Sequence, residues 1–172
     1  GPLLAEAEGI DGFAFTGSHE VGMSIFRKSA SGPFARPVIC EMGGKNPTYV
    51  TAKADLDVAV EGLVRSAFGM QGEKCSACSV AYVERSVHDA LLDKLMQRAK
   101  ALQIGNPEDR SVFVGPVVDD TAVERFENAA RSAKKAGRIV IGGERLRTGA
   151  LAAGNFVAPT VVAGVPADHA LN

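Results

Sequence analysis

Three cysteines and one strand-end glutamate carry most of the chemical potential in this sequence. Cys75 follows a loop punctuated by Gly69 and Gly72, with Lys74 beside it. A neighbouring cation and a nearby helix N-terminus favour the thiolate, the nucleophilic form of a cysteine. The same residue also suits a small buried hydrophobe, the commonest use of a free cysteine. Glu41 closes an apolar run just before Gly43-Gly44, where open parallel sheets place their ligand crevices. A partly desolvated carboxylate there would serve as a general base, and a solvated one would be an ordinary strand-end acid. Gly17-Ser18-His19-Glu20-Val21-Gly22 joins a strand pattern to a helix pattern, so its amides could meet an anion.

Other constellations fail on spacing. Cys75-Ser76-Ala77-Cys78 matches C-x-x-C, but a structural zinc site takes four ligands. Only Cys40 remains, and His19, His88 and His169 are scattered, with His88 and His169 reading as surface residues. A thioredoxin-like dithiol should follow a strand and open a helix, whereas this pair follows a helix and opens a strand. Gly43-Gly44-Lys45 is not a phosphate loop, because Ile39 and Asn46 stand where a glycine and a hydroxyl residue belong.

The elements that must position these residues follow from hydrophobic spacing. Gly12–Thr16 reads as a buried strand, 20–30 as a helix signalled by apolar Val21, Met23, Ile25 and Phe26, and 37–40 as a second strand. That is a βαβ unit and implies a parallel sheet covered on both faces. Tyr49–Thr51 gives a short third strand. Asp55 can cap a helix with Val58, Leu63, Val64 and Ala67 near helical spacing, and 79–83 is a strand. Ser86 with Asp89 forms a capping box for a helix striped by Leu91, Leu92, Leu95, Met96, Ala99 and Leu102. Asp119 or Asp120 starts another helix, with Val123, Phe126, Ala130 and Ala133 inward and Gly137 at its end. Residues 138–141 and 156–165 complete the strands, the latter with Pro159 at an edge. The order is βαβ-like throughout, and the fold class is α/β.

The composition agrees with a globular chain. It has 172 residues, 46% of them hydrophobic and 23% charged, with 19 Lys+Arg against 20 Asp+Glu. A net charge of −1 provides no basic field for nucleic acid and no polybasic membrane patch. No apolar stretch approaches the ~20 residues of a membrane span. An acidic start without a signal peptide, and an odd, small cysteine count, point to the cytoplasm. Gly1-Pro2 in place of an initiator Met reads as a processed or truncated start.

Taken in order and spacing, Phe15-Thr16-Gly17-Ser18 with Gly22, Glu41-Met42-Gly43-Gly44-Lys45-Asn46-Pro47 and Gly72-Glu73-Lys74-Cys75 resemble the aldehyde dehydrogenase superfamily. Asn106-Pro107, Gly115-Pro116, Gly142-Gly143 and Ala158-Pro159-Thr160 extend the resemblance over nearly the whole chain. The resemblance implies Cys75 as nucleophile, Glu41 as general base, and Gly17, Ser18, Gly22 and Gly43 as cofactor-binding residues for NAD or NADP. The run Lys74 to Ser79 looks most like the branch that oxidises glutamate γ-semialdehyde, the Δ1-pyrroline-5-carboxylate dehydrogenases, in which Ser76 would help hold the substrate carboxylate. Glu73 stands where glutamine is commoner and Val80 where arginine is usual. The family's chain is several hundred residues long, so residues 1–42 are expected to be the tail of a dinucleotide-binding domain. Residues 43–172 would be most of a parallel-sheet, three-layer catalytic domain, inactive by itself and homo-oligomeric when full length. The partner expected is a small-molecule aldehyde, with no metal, nucleic acid or membrane. Another aldehyde dehydrogenase subfamily with a different aldehyde substrate, a non-catalytic redox or metal module on Cys75 and Cys78, and an inert α/β domain are the competing expectations.

Overall fold

Pro2 sits in the first turn of α1 (Pro2–Glu6), where its missing N–H costs no helical bond. The computed structural model describes residues 1–172 and divides them into two units, Gly1–Gly44 and Lys45–Asn172. In the first, the apolar run after Gly12 forms β1 (Phe13–Gly17), and Ser18 caps α2 (His19–Ala30) by accepting the Val21 N–H at 3.3 Å. The chain returns as β2 (Val38–Met42), parallel to β1 with Phe13 opposite Val38 and Gly17 opposite Met42. The expected βαβ unit is therefore present. Arg36 binds it to α1, donating to the Ala5 carbonyl at 2.9 Å while its guanidinium lies 5.1 Å from the Phe13 ring centroid.

The buried residues of α2 are Gly22 and Ser29, while Val21 and Phe26 stay 48% and 53% exposed. The helix approaches β2 through small residues, which turns the larger apolar ones to its flanks. One expectation for this unit needs correction: the sheet is not covered on both faces, since Ile39 is 65% exposed. Within the unit only α2 packs on these two strands, and it reaches one side.

The second unit begins with β3 (Asn46–Val50), longer than the three residues expected and starting at Asn46. Asp55 caps α3 (Leu56–Phe68), accepting the N–H groups of Asp57 and Val58. Val60, Leu63 and Val64 are buried, whereas Val58 is 70% exposed. Six residues from Val64 it lies about 120° off the apolar stripe at ~3.6 residues per turn. β4 (Cys78–Val83) pairs parallel with β3, from Asn46 opposite Cys78 to Val50 opposite Val83. The helix α3 is the crossover between them.

Ser86 does not cap the next helix. Its hydroxyl donates to Glu84, and a short 3-10 turn over Arg85–Val87 moves the start of α4 (His88–Lys100) past the expected capping position. The stripe itself is as expected: Leu91, Ala99 and Leu102 are buried, and Leu91 and Leu102 join Val50, Val60, Leu63, Val64 and Val114 in one core. Of the two candidates, Asp119 caps α5 (Asp120–Ala136), accepting the Ala122 N–H at 2.8 Å. Gly137 ends α5 in an extended conformation, not a left-handed one. A Cβ there would stand 2.7 Å from the Ala163 carbonyl, so the close approach of the last strand accounts for the glycine.

β5 (Arg138–Ile141) pairs with β6 (Val161–Ala163) antiparallel, Arg138 opposite Ala163, which departs from a βαβ-like order throughout. The link between them has no α-helical crossover; Gly142 and Gly143, both at positive φ, turn the chain back. Pro159 interrupts the long strand expected over 156–165 and leaves only an isolated bridge between Arg145 and Val157 outside β6. No helix is long and apolar enough to cross a membrane.

Two ion pairs join α3 to α4, Asp57 with Lys94 and Glu61 with Arg98. Glu61 on α3 accepts from Arg65 at 2.6 Å and from Arg98 of α4 at 3.0 Å. The Arg65 hydrogen bond, followed by that of Arg98, lowers its pKa below the ordinary carboxylate range. A carboxylate depressed in the folded state contributes stability above its unfolded value, and loses it as the pH falls through the folded one. Glu61→Gln should therefore lower the urea midpoint at pH 7, with the gap to the parent closing as the pH falls below the ordinary carboxylate range. A gap as large at acid pH as at neutral pH would mean the joint is not ionic.

Candidate thiol site and anion turn

Cys75 and Ser76 are the central residues of a tight turn closed by the Ala77 N–H on the Lys74 carbonyl at 3.0 Å. Helix α3 stops at Phe68, and Met70 and Gln71 follow at φ 48° and 58°, an unusual conformation for residues other than glycine. Gly72 continues at φ 74°, where a Cβ would come within 2.8 Å of the Ala67 carbonyl. This reversal at the end of α3 delivers the chain to the thiol turn and then to β4. The C-x-x-C pair thus follows a helix and opens a strand, as the spacing implied.

The three cysteines differ. Cys75 is exposed, and Cys40 and Cys78 are half-buried. The Cys78 sulfur accepts the Thr48 hydroxyl at 3.1 Å, and its N–H donates to the Ser66 hydroxyl oxygen at 3.1 Å. The thiol turn is held from several sides. Asn46 donates its side-chain amide to the carbonyls of Cys75 at 2.9 Å and Ala77 at 3.2 Å. Glu73 accepts the Val118 N–H, and Gln71 donates to the Pro116 carbonyl, so the segment before the thiol is fastened to the 116–118 loop. Beside the turn lies a groove of about 400 Å³ whose lining includes Arg65, Ser66, Lys74 and Ser76. No group of three or more His, Cys, Asp or Glu side chains is arranged to hold a metal ion.

The other candidates lie in the first unit. Gly17 ends β1 and Ser18 caps α2, whose His19 and Glu20 N–H groups have no protein acceptor. Gly22 lies against β2: a Cβ on it would be 2.7 Å from the Met42 sulfur and 3.4 Å from the Phe15 ring. Glycine at this position lets the first turn of α2 settle on the strand that carries Glu41. Glu41 is exposed, in register with Thr16 on β1, and Gly43 follows it, also exposed. The β1–α2 turn and Glu41 are thereby brought to one end of the same two strands. Cys75 and Ser76 share the second unit with Asn46.

The family model for the aldehyde dehydrogenase family matches residues 1–172. The chain belongs to the aldehyde dehydrogenase family. The resemblance drawn from motif spacing is borne out, and with it the α/β fold class. Among aldehyde dehydrogenases it is similar to the 1-pyrroline-5-carboxylate dehydrogenase of Geobacillus sp. (strain WCH70), 40% identical over 156 residues that make up 88% of this chain and 30% of the relative. A Thermus 1-pyrroline-5-carboxylate dehydrogenase solved with bound NAD superposes with a TM-score of 0.89 at 33% identity, over 99% of this chain and 33% of that one. The γ-glutamyl-γ-aminobutyraldehyde dehydrogenase of Burkholderia cenocepacia gives 0.91 at 37% identity, over 98% of this chain and 34% of that one. The chain thus spans about a third of the length of these aldehyde dehydrogenases.

Sequence reasoning did not single out Asn46 or Gln71. Asn46 stood within the Gly-Gly-Lys-Asn-Pro run, but its partners lie 29 and 31 residues away, beyond any local signal. Gln71 carries no local mark of its left-handed backbone, which asparagine or glycine would have advertised.

Proposed function

We propose that this chain supplies the nucleophile, the general base and the cofactor-anion turn of an NAD(P)-linked aldehyde dehydrogenase, acting on glutamate γ-semialdehyde to give glutamate. The observation that carries the reading is Cys75, an exposed thiol at the centre of a braced turn, in a chain of this family. The Cys75 thiolate adds to the aldehyde carbon, forming a C–S bond, while the carbonyl oxygen takes up the negative charge. The N–H groups of Cys75 and Ser76 have no protein acceptor and are available to that oxygen. Collapse restores the C=O bond and releases the hydrogen with its electron pair, leaving a thioester on Cys75. A bound nicotinamide cofactor would supply the acceptor for that hydride. Glu41 then takes a proton from water, the water oxygen adds to the thioester carbon, and the Cys75 thiolate leaves as the acid forms.

The cofactor's pyrophosphate suits the β1–α2 turn. Two unpartnered amides at the start of a twelve-residue helix, with Ser18 already capping the third, make an anion site, and Gly17 keeps the approach clear of a side chain. Gly22 seats that helix turn, and Gly43 follows the strand bearing Glu41. Ser76, beside the groove rimmed by Lys74 and Arg65, is the residue that would hold a substrate carboxylate. A domain division at residues 42–43 accompanies this reading: the first part closes a dinucleotide-binding domain and the second is most of the thiol domain. A cytoplasmic homo-oligomer working on a small-molecule aldehyde, without nucleic acid or membrane partners, completes it.

Alkylation tests the central residue in the chain as it stands. With limiting iodoacetamide and peptide mass spectrometry, Cys75 should react at least about tenfold faster than Cys40 or Cys78. It should also react faster in the folded chain than in urea, because activation by the turn, unlike mere exposure, is lost on unfolding. Equal rates for all three thiols in the folded chain would overturn the assignment, as would a Cys75–Cys78 disulfide or bound zinc in native mass spectra.

A further inference from the structure

The bonds that Asn46 makes to the thiol turn have a directional consequence. Both partners, the carbonyls of Cys75 and Ala77, are acceptors, so the chemistry of the contact requires the NH2 end of the carboxamide to face them. The two carbonyls bracket the turn: Cys75 is its first central residue, and Ala77 closes it onto Lys74. All peptide bonds in the chain are trans. In a planar trans peptide the N–H points opposite to the C=O. Holding the Cys75 carbonyl toward Asn46 therefore aims the Ser76 N–H away from β3. Neither that N–H nor the N–H of Cys75 has a protein acceptor.

Asn46 itself is well placed to impose this orientation. It begins β3, half-buried, and is paired in register with Cys78 at the start of β4. The register shifts immediately after it, between Asn46 and Pro47, which sets this first residue apart from the regular ladder. The side chain thus reaches across from a strand end to a turn that the ladder does not otherwise fix. Lys45, its neighbour, donates to the Leu171 carbonyl at 2.7 Å and anchors the same strand end on its other side.

We propose that Asn46 is the positioning residue of the Cys75 turn: its carboxamide NH2, shared between the Cys75 and Ala77 carbonyls, fixes the direction of the turn's free Ser76 N–H and through it the reactivity of the thiol. The part of this that concerns reactivity rests on Cys75 being the nucleophile; the clamp on the turn does not. Two hydrogen bonds to backbone carbonyls of one turn are enough to change its opening equilibrium by an order of magnitude or more.

The test separates the two parts. Asn46→Asp keeps the shape and replaces the two donors by acceptors that repel the same carbonyls. In the folded 172-residue chain, hydrogen exchange across residues 73–78 should accelerate by roughly tenfold or more in this variant, with exchange in α4 and α5 unchanged. The ratio of Cys75 alkylation in the folded chain to that in urea should fall several-fold, while Cys40 is unaffected. Asn46→Ser, which retains one hydroxyl donor, should lie between parent and Asn46→Asp in both readouts, and it serves alone if the aspartate variant does not fold. Unchanged exchange over 73–78 in a folded variant overturns the clamp. Accelerated exchange with an unchanged Cys75 ratio overturns the link to reactivity. A parent chain in which Cys75 is no more reactive than Cys40 and Cys78 would sink the nucleophile assignment, and exchange would still decide the clamp.

Discussion

Cys75→Ser should abolish aldehyde oxidation in the longer enzyme carrying these residues, lowering kcat by about 10⁴-fold or more while cofactor binding persists. A serine hydroxyl keeps the size and the turn but is scarcely ionised near neutral pH, so no adduct forms and no hydride is released. Cys78→Ser offers the contrast. The Cys78 sulfur is half-buried and hydrogen-bonded to Thr48 and the Val80 carbonyl, and its replacement should leave kcat within a few-fold. Steady-state NADH formation measures both. Activity retained in Cys75→Ser, or lost equally in both variants, would remove the thiol from the mechanism.

The largest expected effect on stability is at Leu91. It is 2% exposed and lies in the core that α3 and α4 share with Val50, Leu63, Val64 and Leu102. Leu91→Ala should cost about 2–5 kcal/mol, the sum of lost transfer energy and a cavity that close-packed neighbours fill only in part. Because native domains are stable by only ~5–15 kcal/mol, a substantial fraction of the unit's stability would go with it. Val58→Ala, at a position 70% exposed on α3, should stay within about 0.5 kcal/mol. Chemical denaturation of the two variants distinguishes a core built on α4 from one centred elsewhere; comparable losses would contradict the packing described.

What could be read from the sequence was what is local. Asp55 and Asp119 were legible as caps because a capping side chain meets N–H groups two or three residues away. The βαβ order of β1, α2 and β2 followed from alternating apolar runs and a serine at the junction, and the family from the order of short motifs along the chain. Ser86 misled because its capping pattern is satisfied within a 3-10 turn that postpones the helix. Val58 misled because an apolar side chain near a stripe need not lie on it. The inward face of α2 was missed for a different reason: it consists of Gly22 and Ser29, residues with no hydrophobic signature, selected by the closeness of Met42. The antiparallel pairing of β5 and β6 and the reach of Asn46 to the thiol turn are both set by contacts between distant segments. No window of sequence contains them.

The central claim is that one thiol and one carboxylate divide the reaction, Cys75 making the acyl bond and Glu41 assisting its hydrolysis. Glu41→Gln keeps the side chain's size and removes the base. Mixed with NAD and glutamate γ-semialdehyde, the longer enzyme with this substitution should release one equivalent of NADH per site in a rapid burst and then nearly stop, with mass spectrometry locating an acyl group on Cys75. Continued turnover at the parent rate, or a stalled enzyme whose Cys75 carries no acyl group, would contradict it.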